Sequence, residues 1–248
     1  MRTIDLNADV GEGSPHDAEL IPLLTSANIA CGGHAGDERA MEAAARVAIE
    51  HGVVIGAHPG HEDREHFGRR ELPITPDELL ALLNRQVSRL HAIVRGLGGE
   101  VRYLKLHGAL YHQAGRDAAL AEAAVRFVHE FHVPLALLGR THSSLDAAAN
   151  RGEVPFGCEA FPDRAYTPDG LLVPRRESGA LLTDEEEIAA QALRFVQDGV
   201  PSQSQRMGVY ADAESLCLHG DSPGALAGAQ AIRRVLNQHK IGLGPFAG

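Results

Sequence analysis

The sequence predicts a single α/β domain in which about seven parallel strands form a (β/α) barrel. Short apolar, β-branched runs alternate with Ala-, Leu- and Arg-rich stretches, and this alternation is typical of parallel sheets with helical crossovers. About seven such units within 248 residues favour a closed barrel over an open sheet. Because no Gly/Ser linker, charge block or low-complexity segment divides residues 1–248, we expect one domain.

The predicted strands are the apolar runs that recur along the chain. In the first, Thr3–Asp9, alternation places Asp5, Asn7 and Asp9 on one face and the apolar residues on the other. Two carboxylates on one face of a buried strand are costly to desolvate unless they are paired or bind a cation. The other strands are expected at Ser26–Cys31, Val53–Ala57, Val101–Leu106, Leu135–Leu138, Phe156–Phe161 and Cys217–His219.

Helices are expected between the strands, and capping signals mark several of their starts. Thr75 and Glu78 form a capping box, with Pro76 at the first helical position. This helix should end near Leu97, where two glycines follow. The other predicted helices are Asp37–Glu50 with Asp37 as cap, Arg116–Phe131, Thr141–Asn150, Thr183–Gln197 with a capping box of Thr183 and Glu186, and Ser222–His239 with Ser222 as cap.

Histidines and acids lie at or near the carboxyl ends of the predicted strands. The histidines are His34, His58, His107 and His219, and the acids around the sixth strand are Glu159 and Asp163. Barrel enzymes assemble their sites at the carboxyl ends of the strands. A lone histidine is more often a cap or a satisfied core residue, but several at equivalent strand ends favour a site. The long segments 60–72 and 163–181 are predicted to form its walls.

Carboxylates and imidazoles in this arrangement are suited to hydrolysis. They can act as general bases or bind a divalent ion that activates water. A mixed nitrogen and oxygen metal site is predicted from His34, Asp37, Asp5, Asp9 and His58. The spacing contains no fixed metal signature, so a metal-free acid–base site is an equal alternative.

Composition and motifs argue against several other functions. A net charge of −10 without a basic stripe argues against nucleic acid as a partner. No apolar run approaches the roughly 20 residues that span a bilayer, no N-terminal signal segment is evident, and three separated cysteines suit a reducing cytoplasm. The G-x-S-x-G match at 220–224 lacks an oxyanion donor because Pro223 has no N–H. No Walker A loop is present.

Ordered strings along the chain resemble the LamB/YcsF family. They are IDLNADVGEG, SANIACGGHAGD, IGAHPG, FGRR, LKLHGALY, EAFPDRAYTPDGLLVPR and LCLHGD, running from about Thr3 to the last helix. The resemblance implies a glycoside hydrolase/deacetylase-like barrel. It also implies the A component of an ATP-dependent 5-oxoprolinase, which opens 5-oxo-L-proline to L-glutamate together with companion subunits B and C. ATP is then a co-substrate of the complex, while a divalent metal and a homo-oligomer are left open.

The resemblance and the strand-end positions together give the expected site. The expected catalytic residues are Asp9, His58, His107, Asp5 and Glu159. The expected substrate-binding residues are Asn7, Glu12, Asn28, Arg69, Lys105, Tyr111, Arg164 and His219. The expected metal ligands are His34 and Asp37, with Asp5, Asp9 and His58.

Two other functions stay open at this point. One is a stand-alone metal-dependent hydrolase such as a carbohydrate deacetylase, and the other is a non-catalytic lactam-binding subunit. If the chain does belong to an ATP-dependent enzyme, its lack of a P-loop predicts that it performs the ring opening and leaves phosphorylation to its partners.

Overall fold

Seven parallel strands form a closed barrel in this computed structural model, which describes residues 3–167, 170–198 and 213–247. The strands are β1 Thr3–Val10, β2 Ser26–Ala30, β3 Val54–His58, β4 Val101–Leu104, β5 Ala136–Gly139, β6 Phe156–Ala160 and β7 Ser215–His219. They pair in the order β2-β3-β4-β5-β6-β7-β1, and β1 pairs again with β2. The predicted seven-stranded α/β barrel is confirmed. A short β8, Gly242–Leu243, pairs with the start of β1.

Helices surround the barrel as crossovers between the strands. They are α1 Asp17–Leu20, α2 Glu38–Glu50, α3 Pro76–Gly96, α4 Gly108–Arg116, α5 Ala118–Glu130, α6 Ser144–Arg151, α7 Glu185–Gln197 and α8 Ala225–Gln238. Single 3₁₀ turns lie at Ile21–Leu23 and Arg64–His66. Of the helices in the described part of the chain, none combines the length and the apolar character that crossing a bilayer requires.

In the described part of the chain, side chains cap the starts of α2, α3, α5, α6 and α7, and two of the predicted caps are wrong. The capping box of Thr75 and Glu78 is present at the start of α3. At α7 the cap is Asp184 instead of Thr183, because the Asp184 carboxylate accepts the exposed backbone N–H groups. Ser222 does not cap α8, since a turn follows β7 and the helix begins only after Gly224.

The predicted helix Arg116–Phe131 corresponds to α5, and the helix before it, α4, was missed. Asp117 separates them with an extended backbone (φ −103°, ψ 115°). Its carboxylate accepts hydrogen bonds from the N–H groups of Ala119 and Leu120, which starts the second helix. A residue whose side chain caps one helix cannot also continue the preceding helix.

The two faces of β1 carry different parts of the structure, as its alternation predicts. Ile4, Leu6 and Val10 are buried in the main apolar core, which the helices share with the strands. Asp5 and Asn7 are also fully buried, but they bond to polar side chains of neighbouring strands inside the barrel. The apolar core therefore lies outside the barrel wall, and a polar network fills part of its interior.

Candidate active site

Hydroxyl groups hold Asp5 inside the barrel. Its Oδ1 accepts hydrogen bonds from Thr25 Oγ1 at 2.5 Å and Ser26 Oγ at 2.7 Å, and its Oδ2 accepts one from Ser215. Burial raises the pKa of Asp5, and these hydrogen bonds only partly oppose the shift. The carboxylate joins β1 to the chain around β2 and β7.

Two asparagines connect Asp5's surroundings to Asp9. The Asn28 amide donates to Asn7 Oδ1 at 2.6 Å and to Asp9 Oδ1 at 2.8 Å. Tyr103 donates its hydroxyl to Asn28 Oδ1 at 2.6 Å, and Asn7 donates to Ser215 Oγ at 2.6 Å. Asn7 and Asn28 were predicted to bind substrate. In the structure the Asn28 amide orients Asp9, and Asn7 accepts a hydrogen bond from the same amide.

Lys105 is a buried cation that compensates the interior acids. Its Nζ lies 2.8 Å from Asp9 Oδ1, 3.2 Å from Glu159 Oε2 and 2.9 Å from Cys217 Sγ. Burial opposes its charge, but Asp9, Cys217 and Glu159 together hold the pKa of Lys105 well above its usual value. Tyr111 adds a hydrogen bond to Glu159. The Lys105 ammonium is thus engaged by protein groups.

Opposing effects set the charge of the two acids beside Lys105. Burial alone would raise the pKa of Asp9, but the charges of His58 and Lys105 outweigh it and hold that pKa well below its usual range. Burial raises the pKa of Glu159, and Lys105 only partly opposes it. Asp9 therefore stays ionised at neutral pH.

Glu12, His34, His58 and His107 form an imidazole–carboxylate cluster beside Asp9. One nitrogen or oxygen from each of the four lies within 4.8 Å of the others, and together they could hold a metal ion. Glu12 Oε1 is 2.8 Å from His34 Nε2, 3.3 Å from His107 Nδ1 and 3.9 Å from His58 Nε2. Asp9 Oδ2 lies 3.3 Å from His58 Nε2.

Burial controls the protonation of this cluster. Desolvation, together with the charge of His58, lowers the pKa of His34 well below its usual value. Desolvation, followed by the charges of His34 and His58, does the same for the pKa of His107. The pKa of Glu12 is raised well above its usual value by burial and by the charge of Asp9. His34 and His107 are consequently neutral imidazoles at neutral pH.

The chain brings these groups together through the ends of the first four strands. Glu12 follows β1 in a turn where Gly11 adopts φ 72°, a left-handed conformation that glycine adopts without a steric penalty. His58 is the last residue of β3, while His34 and His107 follow β2 and β4. The predicted convergence of these three histidines at one end of the barrel is confirmed by their contacts.

The metal ligands expected from the sequence are only partly those of the cluster. His34 and His58 belong to it, but Asp37 does not, because its exposed side chain accepts the Ala40 N–H and caps α2. Asp5 and Asp9 also lie outside it. Glu12 and His107, predicted for substrate binding and catalysis, complete the cluster. The glycines that flank Glu12 directly after β1 were the available signal for its position.

The last predicted histidine, His219, pairs with an acid on the other side of β1. Its Nδ1 lies 2.9 Å from Asp163 Oδ2, and its backbone N–H donates to the same oxygen at 2.9 Å. Burial raises the pKa of Asp163, but the charge and hydrogen bonds of His219 outweigh that effect and lower it. This pair joins the loop after β6 to the end of β7.

An ion-paired bridge of two arginines and one acid joins three of the loops that follow the strands. Asp221 lies 2.5 Å from an Arg69 nitrogen and 2.9 Å from an Arg175 nitrogen. Arg164, predicted to bind substrate, instead donates to the backbone oxygens of Ala180 and Val173 and so holds its own loop. Arg175 was not among the predicted substrate-binding residues, because its loop contains Arg164, Arg175 and Arg176 and the sequence alone does not rank them.

The fold and the site together define a class of barrel proteins, with a closed barrel of seven parallel strands and a buried carboxylate–imidazole cluster at the carboxyl ends of the strands. A model of the LamB/YcsF family matches residues 4–248. The chain belongs to the LamB/YcsF family, as its sequence motifs predicted.

Three solved structures are similar to this chain. The chain is 38% identical to a lactam utilization protein from Thermus thermophilus, covering 98% of this chain and 99% of that one with a TM-score of 0.88. A family 4 carbohydrate esterase from Streptomyces lividans is 11% identical, with 98% and 92% coverage and a TM-score of 0.51. The catalytic domain of a peptidoglycan N-acetylglucosamine deacetylase from Eubacterium rectale is 8% identical, with 98% and 88% coverage and a TM-score of 0.54. The last two share the fold.

Proposed function

We propose that this chain opens the ring of 5-oxo-L-proline to give L-glutamate, as the A component of an ATP-dependent 5-oxoprolinase that includes companion subunits B and C. The proposal is supported by membership of the LamB/YcsF family and by similarity over nearly the full length to a lactam utilization protein. The observation that carries it is a buried, ionised carboxylate, Asp9, beside a group of imidazoles.

Asp9 has the surroundings of a proton acceptor with a fixed orientation. Its Oδ1 accepts from Lys105 Nζ and Asn28 Nδ2, both at 2.8 Å, and its Oδ2 faces His58 Nε2. A general base must be deprotonated and held within hydrogen-bond reach of its substrate proton. We assign to Asp9 the removal of a proton from the water that attacks the lactam carbonyl carbon.

The ion-paired bridge of Arg69, Arg175 and Asp221 contains guanidinium groups that can bind the substrate carboxylate. A guanidinium group offers two parallel N–H donors that match a carboxylate. Arg69 and Arg175 already hold one carboxylate, that of Asp221. The carboxylate of 5-oxoproline would compete with Asp221 for these arginines, which would place the ring between the bridge and Asp9.

The proposed reaction needs ATP because the substrate is unreactive. The amide of a five-membered lactam is a poor electrophile, and its nitrogen is a poor leaving group. Phosphorylation of the amide oxygen would make the ring carbon electrophilic and so help water to attack. The sequence has no P-loop, so we assign phosphorylation to the companion subunits and hydrolysis to this chain.

The test is release of glutamate from 5-oxoproline in the presence of ATP. The chain should be inactive alone and active after reconstitution with subunits B and C, with ADP and glutamate formed in equal amounts. Coupled activity of the isolated chain would contradict the division of labour. Absence of glutamate formation by the reconstituted complex would contradict the function itself.

A second candidate is a stand-alone hydrolase that removes acetyl groups from N-acetylated sugars. The imidazole–carboxylate cluster favours it, because such a cluster could bind a metal ion for direct amide hydrolysis. This candidate requires acetate release from chito-oligosaccharides without ATP or companions. If the chain opens lactams instead, no acetate should be released from these oligosaccharides.

A further inference from the structure

The tautomers of two histidines in the cluster follow from their hydrogen bonds. His58 Nδ1 lies 2.9 Å from the carbonyl oxygen of Lys105, and His107 Nε2 lies 2.9 Å from the carbonyl oxygen of Phe67. A carbonyl oxygen can only accept a hydrogen bond, so each of these nitrogens carries the proton. In a neutral imidazole the remaining nitrogen is then a bare lone pair. When both rings are neutral, the bare nitrogens are His58 Nε2 and His107 Nδ1.

These two lone pairs face each other inside the protein. His58 Nε2 and His107 Nδ1 are 2.9 Å apart, and the side chains are almost fully buried. Two hydrogen-bond acceptors at this distance repel each other unless a positive charge lies between them. Either an additional proton on one imidazole or a metal ion can supply that charge.

The surrounding atoms favour an ion over a proton. Besides the two nitrogens, Glu12 Oε1 lies 3.3 Å from His107 Nδ1 and 3.9 Å from His58 Nε2. A shared proton satisfies two atoms along one line, whereas these three atoms surround a common point. Their separations of 2.9 to 3.9 Å bracket the edge of roughly 3.4 Å expected for a tetrahedron with bonds of about 2.0–2.1 Å.

His34 has a different position in the cluster. Its ring is stacked on that of His107, with an interplanar angle of 1° and centroids 3.5 Å apart. An ion lies close to the plane of an imidazole that binds it, so one ion cannot lie in both parallel planes. His34 Nε2 is instead 2.8 Å from Glu12 Oε1, where it can donate a hydrogen bond that orients the carboxylate.

We infer that His58, His107 and Glu12 bind one divalent transition-metal ion of the zinc class, and that His34 positions Glu12 as a ligand. Two imidazoles and one carboxylate suit such an ion and leave a coordination position open. The backbone carbonyls of Lys105 and Phe67 fix the two rings, as hydrogen-bond acceptors commonly do for metal-binding histidines. The inference is independent of the substrate assigned above.

A bound ion would determine the roles of two neighbouring residues, His58 and Asp9. When bound, it would supply Lewis-acid polarisation of an amide oxygen. His58 would then be occupied as a ligand, and Asp9 Oδ2, 3.3 Å from His58 Nε2, would remain as the carboxylate oxygen that accepts a proton. The assignment of Asp9 as general base is therefore the same with and without the ion.

Metal titration of the purified full chain tests the inference directly. After dialysis against a chelator, calorimetric titration with Zn²⁺ should show one ion per chain with submicromolar affinity, and the ion should raise the melting temperature. Glu12→Gln and His107→Gln, which nearly preserve side-chain volume, should each weaken binding by at least about 100-fold. Asp37→Asn is the matched control, because asparagine also caps helices, and it should bind like the wild type.

The titration results that would overturn the metal-binding inference are as follows. Wild-type protein that binds no Zn²⁺, Co²⁺ or Mn²⁺ overturns the inference, and so does a result in which both cluster variants bind the ion as tightly as the wild type. Circular dichroism identifies a variant that fails to fold, in which case the other variant and the wild-type stoichiometry decide. Because the readout is binding and melting, failure of the lactam reaction would leave this result unaffected.

Discussion

At the scale of single residues, the structure concentrates its unusual chemistry around one lysine. Lys105 is 2% exposed and contacts both Asp9 and Glu159. A buried charge that loses its partner retains the cost of desolvation without the compensating attraction. The arrangement therefore links folding stability to the same groups that are proposed to act on the substrate.

Removing the Lys105 charge should destabilise the protein strongly. Lys105→Met preserves much of the side-chain volume but leaves Asp9 without its cation, which we expect to lower the free energy of unfolding by about 3–5 kcal/mol. Urea unfolding measures this change. Lys240, the other lysine, is exposed, so Lys240→Met should change stability by less than about 0.5 kcal/mol. Equal effects of the two substitutions would contradict the interpretation.

The Asp163–His219 pair predicts a dependence of stability on acid pH. His219 lowers the pKa of Asp163 in the folded state despite burial, so the folded protein releases this proton more readily than the unfolded chain. The stabilisation is fully present above the unfolded pKa of about 3.9 and is lost as pH falls from there through the folded pKa.

The unfolding free energy of wild type minus that of Asp163→Asn, measured between neutral pH and strong acid, isolates this contribution. The difference should shrink as the pH falls below about 4. A difference that grows on acidification would show that the pKa of Asp163 is raised instead.

At the scale of elements, local capping decided which helices the sequence could reveal. The start of α3 was predictable because its capping box is confined to a few adjacent residues. The helix α4 was missed because it follows His107 without a side-chain cap and contains two glycines within nine residues. The prediction began the next helix at Arg116, which is the last residue of α4, although the Asp117 side chain caps a separate helix, α5.

The cap at Asp117 can be tested by substitution. Asp117→Ala removes the acceptor for the N–H groups of Ala119 and Leu120, which should cost about 1 kcal/mol of unfolding free energy. Asp117→Asn retains a capping oxygen and should cost much less. Equal loss in both variants, measured by urea unfolding, would indicate that the charge and not the cap is responsible.

At the scale of the whole molecule, the barrel closes around a polar interior that also holds the ring of Tyr103. Tyr103 is fully buried, donates to Asn28 and packs edge-on against Phe246 at 4.9 Å between centroids. Gly56 on the neighbouring strand leaves room for this ring, because a Cβ at that position would overlap the ring atoms.

Gly56→Ala should therefore strain the closed barrel. We expect a loss of at least about 1–3 kcal/mol of unfolding free energy, the usual cost of overpacking a well-packed interior. Gly96→Ala is the control, because a Cβ at that helical position meets no atom within 4 Å, and it should be neutral or slightly stabilising. A neutral Gly56→Ala variant would contradict the described packing of Tyr103.

The sequence predicted the barrel and the end at which its polar groups meet, because both follow from periodicity and from residues directly after strands. It did not predict which groups come within ligand distance. Asp37 and Glu12 both lie a few residues beyond a strand, but Asp37 caps a helix while the turn at Gly11 carries Glu12 towards the histidines. Such differences depend on loop conformation and strand register, which local patterns do not specify.

The most direct test of the account replaces the proposed general base. Asp9→Asn keeps the shape of the side chain but removes its charge, so the complex reconstituted with subunits B and C should lose about 10²–10⁴-fold in ATP-dependent glutamate release. Asp37→Asn in the same complex should retain wild-type activity. Wild-type rates from a folded, assembled Asp9→Asn complex would contradict the claim that this buried carboxylate performs the ring opening.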